Sequence, residues 1–269
     1  MRRVIRFGCA GDTLVGTLDE GRSATGLLIV TGGNEVRAGA HRGMAMLAAR
    51  LATDGVPVFR FDRRGVGDSE GVNSGYLGSR DDLVVAAVAF RAEAPSVRRL
   101  VGFGNCDAAS ALALFGREAG VDILVLANPW VVEDHDHLPP AAAIRRRYAE
   151  RLLSPRAWVR LVAGGVDLRK LFSGLRKLAQ PAPQGLPDRV IAAIGGWGDE
   201  ARIVLARGDN TAIAFADAAA ARDLPTPTEI IDTASHSFAR ERDAAALEAA
   251  IRAALRASGD LGPPQPRSG

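Results

Sequence analysis

Short apolar runs recur along this chain, each ended by a turn and most followed by a helical stretch. This feature constrains the fold more than any other. The runs at 26–30, 56–61, 100–103, 123–127, 202–206 and 229–232 read as buried strands. The stretches 41–51, 81–94, 108–114, 211–222 and 240–256 read as helices; Met44, Leu47, Ala48 and Leu51 share one face of the first. Strands that alternate with helices predict an α/β fold, a mainly parallel central sheet flanked by helices on both faces. A hairpin is expected at the start, pairing 3–9 with 13–18 through Ala10, Gly11 and Asp12. In such sheets sites gather at the carboxyl ends of strands. Gly33, Cys106, Asp209 and His236 all fall just after an expected strand.

The rhythm breaks after Trp130. Residues 131–198 show helical patches and Pro or Gly breaks but no clear strand, the pattern of an inserted helical cap. The expected organisation is a core of 1–130 and 199–258, a cap of 131–198 and a disordered tail of 259–269. A chain of 269 residues suffices for that plan. The formal net charge is only +3, yet residues 141–180 hold ten Lys or Arg against Glu150 and Asp167, a local excess of 10 − 2 = +8. That asymmetry points to an anionic partner at the cap, a membrane surface or an acidic carrier protein. Nucleic acid is not expected. No apolar run approaches the ~20 residues of a bilayer span. The first seven residues alternate like a strand and lack a signal-peptide core, so a cytoplasmic protein is expected. Two cysteines, Cys9 and Cys106, make no disulfide framework.

Cys106 stands at a strand–helix junction with Gly104 two residues before it and Ala108 two after. This is the spacing of a nucleophile elbow, G-x-S-x-G, with Cys for Ser and Ala for the last Gly. Small flanks are needed because a sharp turn leaves no room beside the nucleophile. The N–H groups and dipole at the helix start favour a thiolate and a developing oxyanion. The chain order Cys106, Asp209, His236 is that of a nucleophile–acid–histidine triad. Cys106 would attack a carbonyl carbon, His236 would take its proton, and Asp209 would hold the imidazole. Backbone N–H groups of Asp107 and of Gly33 or Asn34 would cradle the oxyanion.

Asp232 is the rival to Asp209, and Ser110 lies one turn inside the helix, out of place for a nucleophile. Asp107 complicates the thiolate, since a neighbouring carboxylate raises a thiol's pKa; it would cap the helix or bind an adjacent Arg. Asp62, Arg63, Arg64, Gly65 and Gly67 read as a loop pinned by ion pairs. Glu133 to His137 mixes imidazoles with carboxylates but reads as a solvated hinge, so no metal and no cofactor are expected.

Several motifs together resemble the α/β-hydrolase superfamily. They are Val30-Thr31-Gly32-Gly33, Asp62-Arg63-Arg64-Gly65 with Gly67, Asp68 and Ser69, Gly104-Asn105-Cys106-Asp107-Ala108-Ala109, Asn128-Pro129-Trp130 and His236-Ser237-Phe238. More narrowly, the chain over 1–257 resembles hydrolase 1 of the exosortase A system-associated family. That resemblance implies a bacterial protein connected with exopolysaccharide production and protein sorting. The chain departs from the common esterase pattern at Cys106, at Ala108 and at Thr31. The expected function is a cysteine-nucleophile acyl hydrolase or acyltransferase on a small-molecule ester or thioester. The other reading is a catalytically silent scaffold in polysaccharide assembly.

Overall fold

A computed structural model describes residues 1–132 and 185–258. The chain divides into two compact units, Met1–Val131 with Pro187–Gly269, and Val132–Leu186. The sheet and its helices belong to the first. The stretches 133–184 and 259–269 lie outside the described residues, and with them lie the Glu133–His137 segment, the basic stretch and the tail.

The strands are β1 (Arg2–Cys9), β2 (Asp12–Asp19), β3 (Thr25–Val30), β4 (Val58–Phe61), β5 (Arg99–Asn105), β6 (Ile123–Ala127), β7 (Ala201–Ala206) and β8 (Thr228–Ile231). They form one sheet in the order β1-β2-β4-β3-β5-β6-β7-β8. β1 pairs antiparallel with β2 and β2 with β4, and every other pairing is parallel. The expected hairpin is present, with Cys9 opposite Asp12. β3, β4 and β6 are buried along their whole length, and the charged residue within β4, Arg60, is paired with Asp19 Oδ2 at 3.0 Å.

The described helices are α1 (Gly43–Thr53), α2 (Arg80–Glu93), α3 (Asp107–Phe115), α4 (Leu186–Gly195), α5 (Asn210–Ala220) and α6 (Glu241–Ala257). α1 and α6 close one face of the sheet. Leu47 and Leu51 from α1, with Leu247, Ile251 and Leu255 from α6, join Leu27, Ile29, Val101, Phe103 and Val125 in one core. The Phe90 ring of α2 stacks on Phe59 of β4, centroids 5.5 Å apart. α1 begins at Gly43 rather than at His41, because His41 and Arg42 both hold positive φ and cannot continue a right-handed helix. α4 falls within the stretch read from the sequence as an insertion. Beyond it Trp197 is buried and its indole N–H donates to Ala113 O at 3.0 Å.

Candidate active site

β5 ends at Asn105 and α3 starts at Asp107, so the chain turns on Cys106 alone. Its φ of 62° with ψ of −128° is a conformation that L-residues avoid, at a cost of about 1–3 kcal/mol. Gly104 permits the turn: a Cβ there would sit 2.7 Å from Ala108 C and 2.8 Å from Ala109 N. Ala108 is fully buried, so its methyl fits where the common pattern has glycine. The end of β6 and the residues after it clamp the bend. Cys106 N–H donates to Ala127 O at 2.9 Å, and Trp130 N–H donates to Cys106 O at 3.2 Å. The Ser110 hydroxyl donates to Trp130 O at 2.6 Å, which makes it part of that clamp.

Asp209 is the N-cap of α5, and its Oδ2 accepts from Ala212 N–H at 3.1 Å. The same oxygen lies 3.0 Å from His236 Nδ1. This fixes the imidazole with Nδ1 toward the carboxylate and leaves Nε2 for other work. Asp232 is 85% exposed and pairs with Arg207 instead. Phe238 anchors the histidine loop: its side chain is buried, its φ is 52°, and its N–H donates to Ser235 O at 3.1 Å.

Two side-chain amides, which sequence reasoning passed over as site residues, tie these strand ends together. Asn105 Nδ2 donates to His236 O at 3.0 Å, so the residue before Cys106 holds the histidine loop directly. Asn128 Nδ2 donates to Asn105 Oδ1 at 3.1 Å, and Asn128 Oδ1 accepts from Ala206 N–H at 2.8 Å. The signals were present, an Asn inside the elbow and an Asn directly after β6, but Asn is also a common turn residue.

The loop after β3 turns between Gly32 O and Glu35 N–H, with Gly33 at φ 54°. A Cβ on Gly32 would lie 2.6 Å from Asp107 Oδ1, so the Gly pair lets this carboxylate approach. Asp107 Oδ1 accepts from Gly33 N–H at 2.7 Å, and Oδ2 faces Arg63 Nη2 at 3.5 Å. Arg63 Nη2 also donates to Gly33 O at 2.7 Å. Of the two roles weighed for Asp107, the Arg partner is the one observed. In this arrangement the Gly33 N–H is already taken. Asn34 is exposed, and its side-chain oxygen accepts from Asn73 Nδ2 at 2.7 Å.

Burial pushes the Cys106 thiol up to about 11, and the carboxylates of Asp107 and Asp209 push the same way. The Asp107 N–H and the Arg63 charge oppose them and lose. The expectation of a thiolate is corrected here: desolvation outweighs the start of α3. Glu35, in the loop beside Gly33, is also raised by burial, against a hydrogen bond from Ala40 N–H and the His236 charge. Among the described residues no group of three His, Cys, Asp or Glu is placed to hold a metal, and no helix is long and apolar enough to cross a membrane.

Such a sheet, with a tight strand–helix bend at Cys106 after β5, Asp209 after β7 and His236 after β8, has the α/β-hydrolase fold. Solved structures share it. The α/β hydrolase GrgF from Penicillium sp. sh18 is 16% identical, with 95% of this chain and 98% of that chain covered and a TM-score of 0.63. The esterase Pf2001 of Pyrococcus furiosus is 15% identical over 97% and 92%, with a TM-score of 0.63. The thioesterase domain of the curacin biosynthetic pathway is 13% identical over 94% and 99%, with a TM-score of 0.57. No family model and no curated protein sequence matches the chain.

Proposed function

We propose that this protein is a Cys106-dependent acyl hydrolase or acyltransferase for an ester or thioester. The observation that carries it is the strained Cys106 bend beside a His236–Asp209 pair at 3.0 Å, with Asn105 bridging the two. An esterase and a thioesterase domain among the structural neighbours support the choice of bond.

The thiol starts protonated. As Sγ adds to the carbonyl carbon, His236 Nε2 takes the S–H proton, and the Asp209 carboxylate balances the imidazolium. Negative charge forms on the former carbonyl oxygen, where the N–H groups of Asp107 and of Gly33 or Asn34 receive it. Collapse expels the leaving group, which takes the proton back from His236, and leaves a thioester on Cys106. Water or another acceptor, deprotonated by His236, then releases the acyl group. A panel of small esters and thioesters with intact-mass detection of an acyl-enzyme tests this. Turnover by Cys106→Ala equal to wild type rejects it, and Cys106→Ser asks whether sulfur is required.

The silent-scaffold reading draws on one observation, the occupied Gly33 N–H. It predicts no turnover of any ester and full complementation of a deletion strain by Cys106→Ala. The motif resemblance supports a setting in bacterial exopolysaccharide production and protein sorting. The excess of positive charge over 141–180 supports an anionic partner, tested by binding to anionic vesicles or an acidic carrier protein that weakens steeply with salt.

A further inference from the structure

We infer that Arg63 and Asp107 form an anion seat beside the Gly33 amide, and that the substrate carries a carboxylate close to its scissile carbonyl. This rests on the acyl-transfer reading above and adds the class of acyl group. A guanidinium carries five N–H donors and no acceptor. The Arg63 side chain is only 3% exposed, so water serves little of it. One nitrogen, Nη2, reaches Gly33 O at 2.7 Å. The facing carboxylate oxygen of Asp107 is 3.5 Å away, beyond a normal N–H···O bond. The other terminal nitrogen, Nη1, is buried with no hydrogen-bond partner among the described residues. A buried cation so loosely held is costly as structure alone. It has unused capacity for an oxygen anion.

The second observation is what Asp107 occupies. Its Oδ1 takes the Gly33 N–H, the one of the two oxyanion donors named above on which this inference rests. For a carbonyl oxygen to enter, the Asp107 carboxylate must turn away from Gly33 and from Arg63. A neutral ester would then leave the guanidinium without a counter-charge. A substrate carboxylate would take the vacated place and meet Nη1 and Nη2 as a fork, the geometry that suits arginine. Gly33 presents its N–H to the oxyanion and its C=O to Arg63, so the two negative groups lie within one residue of each other. Malonyl- and succinyl-type half-esters fit that spacing.

The test compares aryl esters of equal length, a butyrate and a hemisuccinate, on the full chain. Wild type is expected to favour the hemisuccinate by about tenfold in kcat/KM, and Arg63→Met to abolish the preference. Asp107→Asn, which keeps the shape of the side chain but not its charge, is expected to speed both esters and to keep or widen the ratio, since neither substrate then has a carboxylate to displace. Equal turnover of the two esters by wild type overturns the inference, as does an unchanged ratio in a folded Arg63→Met. If Arg63→Met does not fold, the Asp107→Asn ratio decides: a hemisuccinate preference lost in that variant overturns the seat. A binding arm separates this inference from the catalytic one. Calorimetry on Cys106→Ala is expected to show monomethyl succinate bound at least tenfold more tightly than methyl butyrate. Equal affinities sink the anion seat even if both esters are hydrolysed. Preferential binding by a protein that turns over neither ester keeps the seat and sinks the enzyme.

Discussion

Cys9 and Cys106 carry the same thiol chemistry in two different settings. Both are pushed up to about 11, in each case first by burial and then by a nearby carboxylate. Cys9 ends β1, is fully buried, and its S–H donates to Asp82 Oδ1 at 3.4 Å. Asp82 also accepts from Arg64 Nε at 2.5 Å and from Arg64 N–H at 3.0 Å, so the thiol joins a saturated structural cluster. Cys106 is half-buried and sits on a strained bend with its neighbouring side chain tied to the histidine loop. Acidity does not distinguish these two sulfurs. What distinguishes them is backbone strain, access and an imidazole already oriented by a carboxylate.

The largest expected break between them is in turnover. Cys106→Ala should lower kcat by at least about 10³-fold, while Cys9→Ala stays within a few-fold of wild type in the same ester assay. Equal losses would dissolve the contrast. Next comes the imidazole. Asp209→Asn should cost on the order of 10³-fold in kcat, because Asn favours the wrong tautomer, and Asp232→Asn should cost almost nothing. Labelling sharpens the comparison further. Iodoacetamide should modify Cys106 in the folded protein and Cys9 only after unfolding, as peptide mapping would show. Below about pH 11 the Cys106 rate should rise roughly tenfold per pH unit, because the reactive thiolate grows as the pH climbs toward the raised value. A plateau already at pH 8 would mean that the thiol is more acidic than its surroundings imply. The smallest effect is in stability: Cys9→Ala should cost about 1 kcal/mol by denaturant melt, from a lost sulfur in a packed site.

The sequence disclosed whatever depends on neighbours along the chain. Gly104 and Ala108 around Cys106 announced the bend, and the apolar runs announced the strands that deliver Asp209 and His236. Asp209 read as the acid because it follows β7 in a turn, and the structure puts it, and not Asp232, against His236. What stayed hidden depends on groups far apart in sequence. Arg63 read as one member of a pinned loop, and nothing local shows that it meets Gly33, 30 positions away, and Asp107. The push of Asp107 on the thiol was legible, but the larger share that comes from burial was hidden for a related reason. A helix start is visible in sequence, whereas the burial that overrides it is a property of the assembled core. The start of α1 was misplaced by two residues because backbone strain at His41 and Arg42 leaves no compositional trace.

The amide bridge between Asn105, Asn128 and the His236 carbonyl has a further consequence. Replacing either amide with its carboxylic acid changes a single heavy atom and hardly alters volume. It would nonetheless set lone pair against lone pair at that carbonyl and introduce charge where three strand ends meet. Two uncharged side chains that take no part in bond-making therefore set a strict chemical demand at this junction.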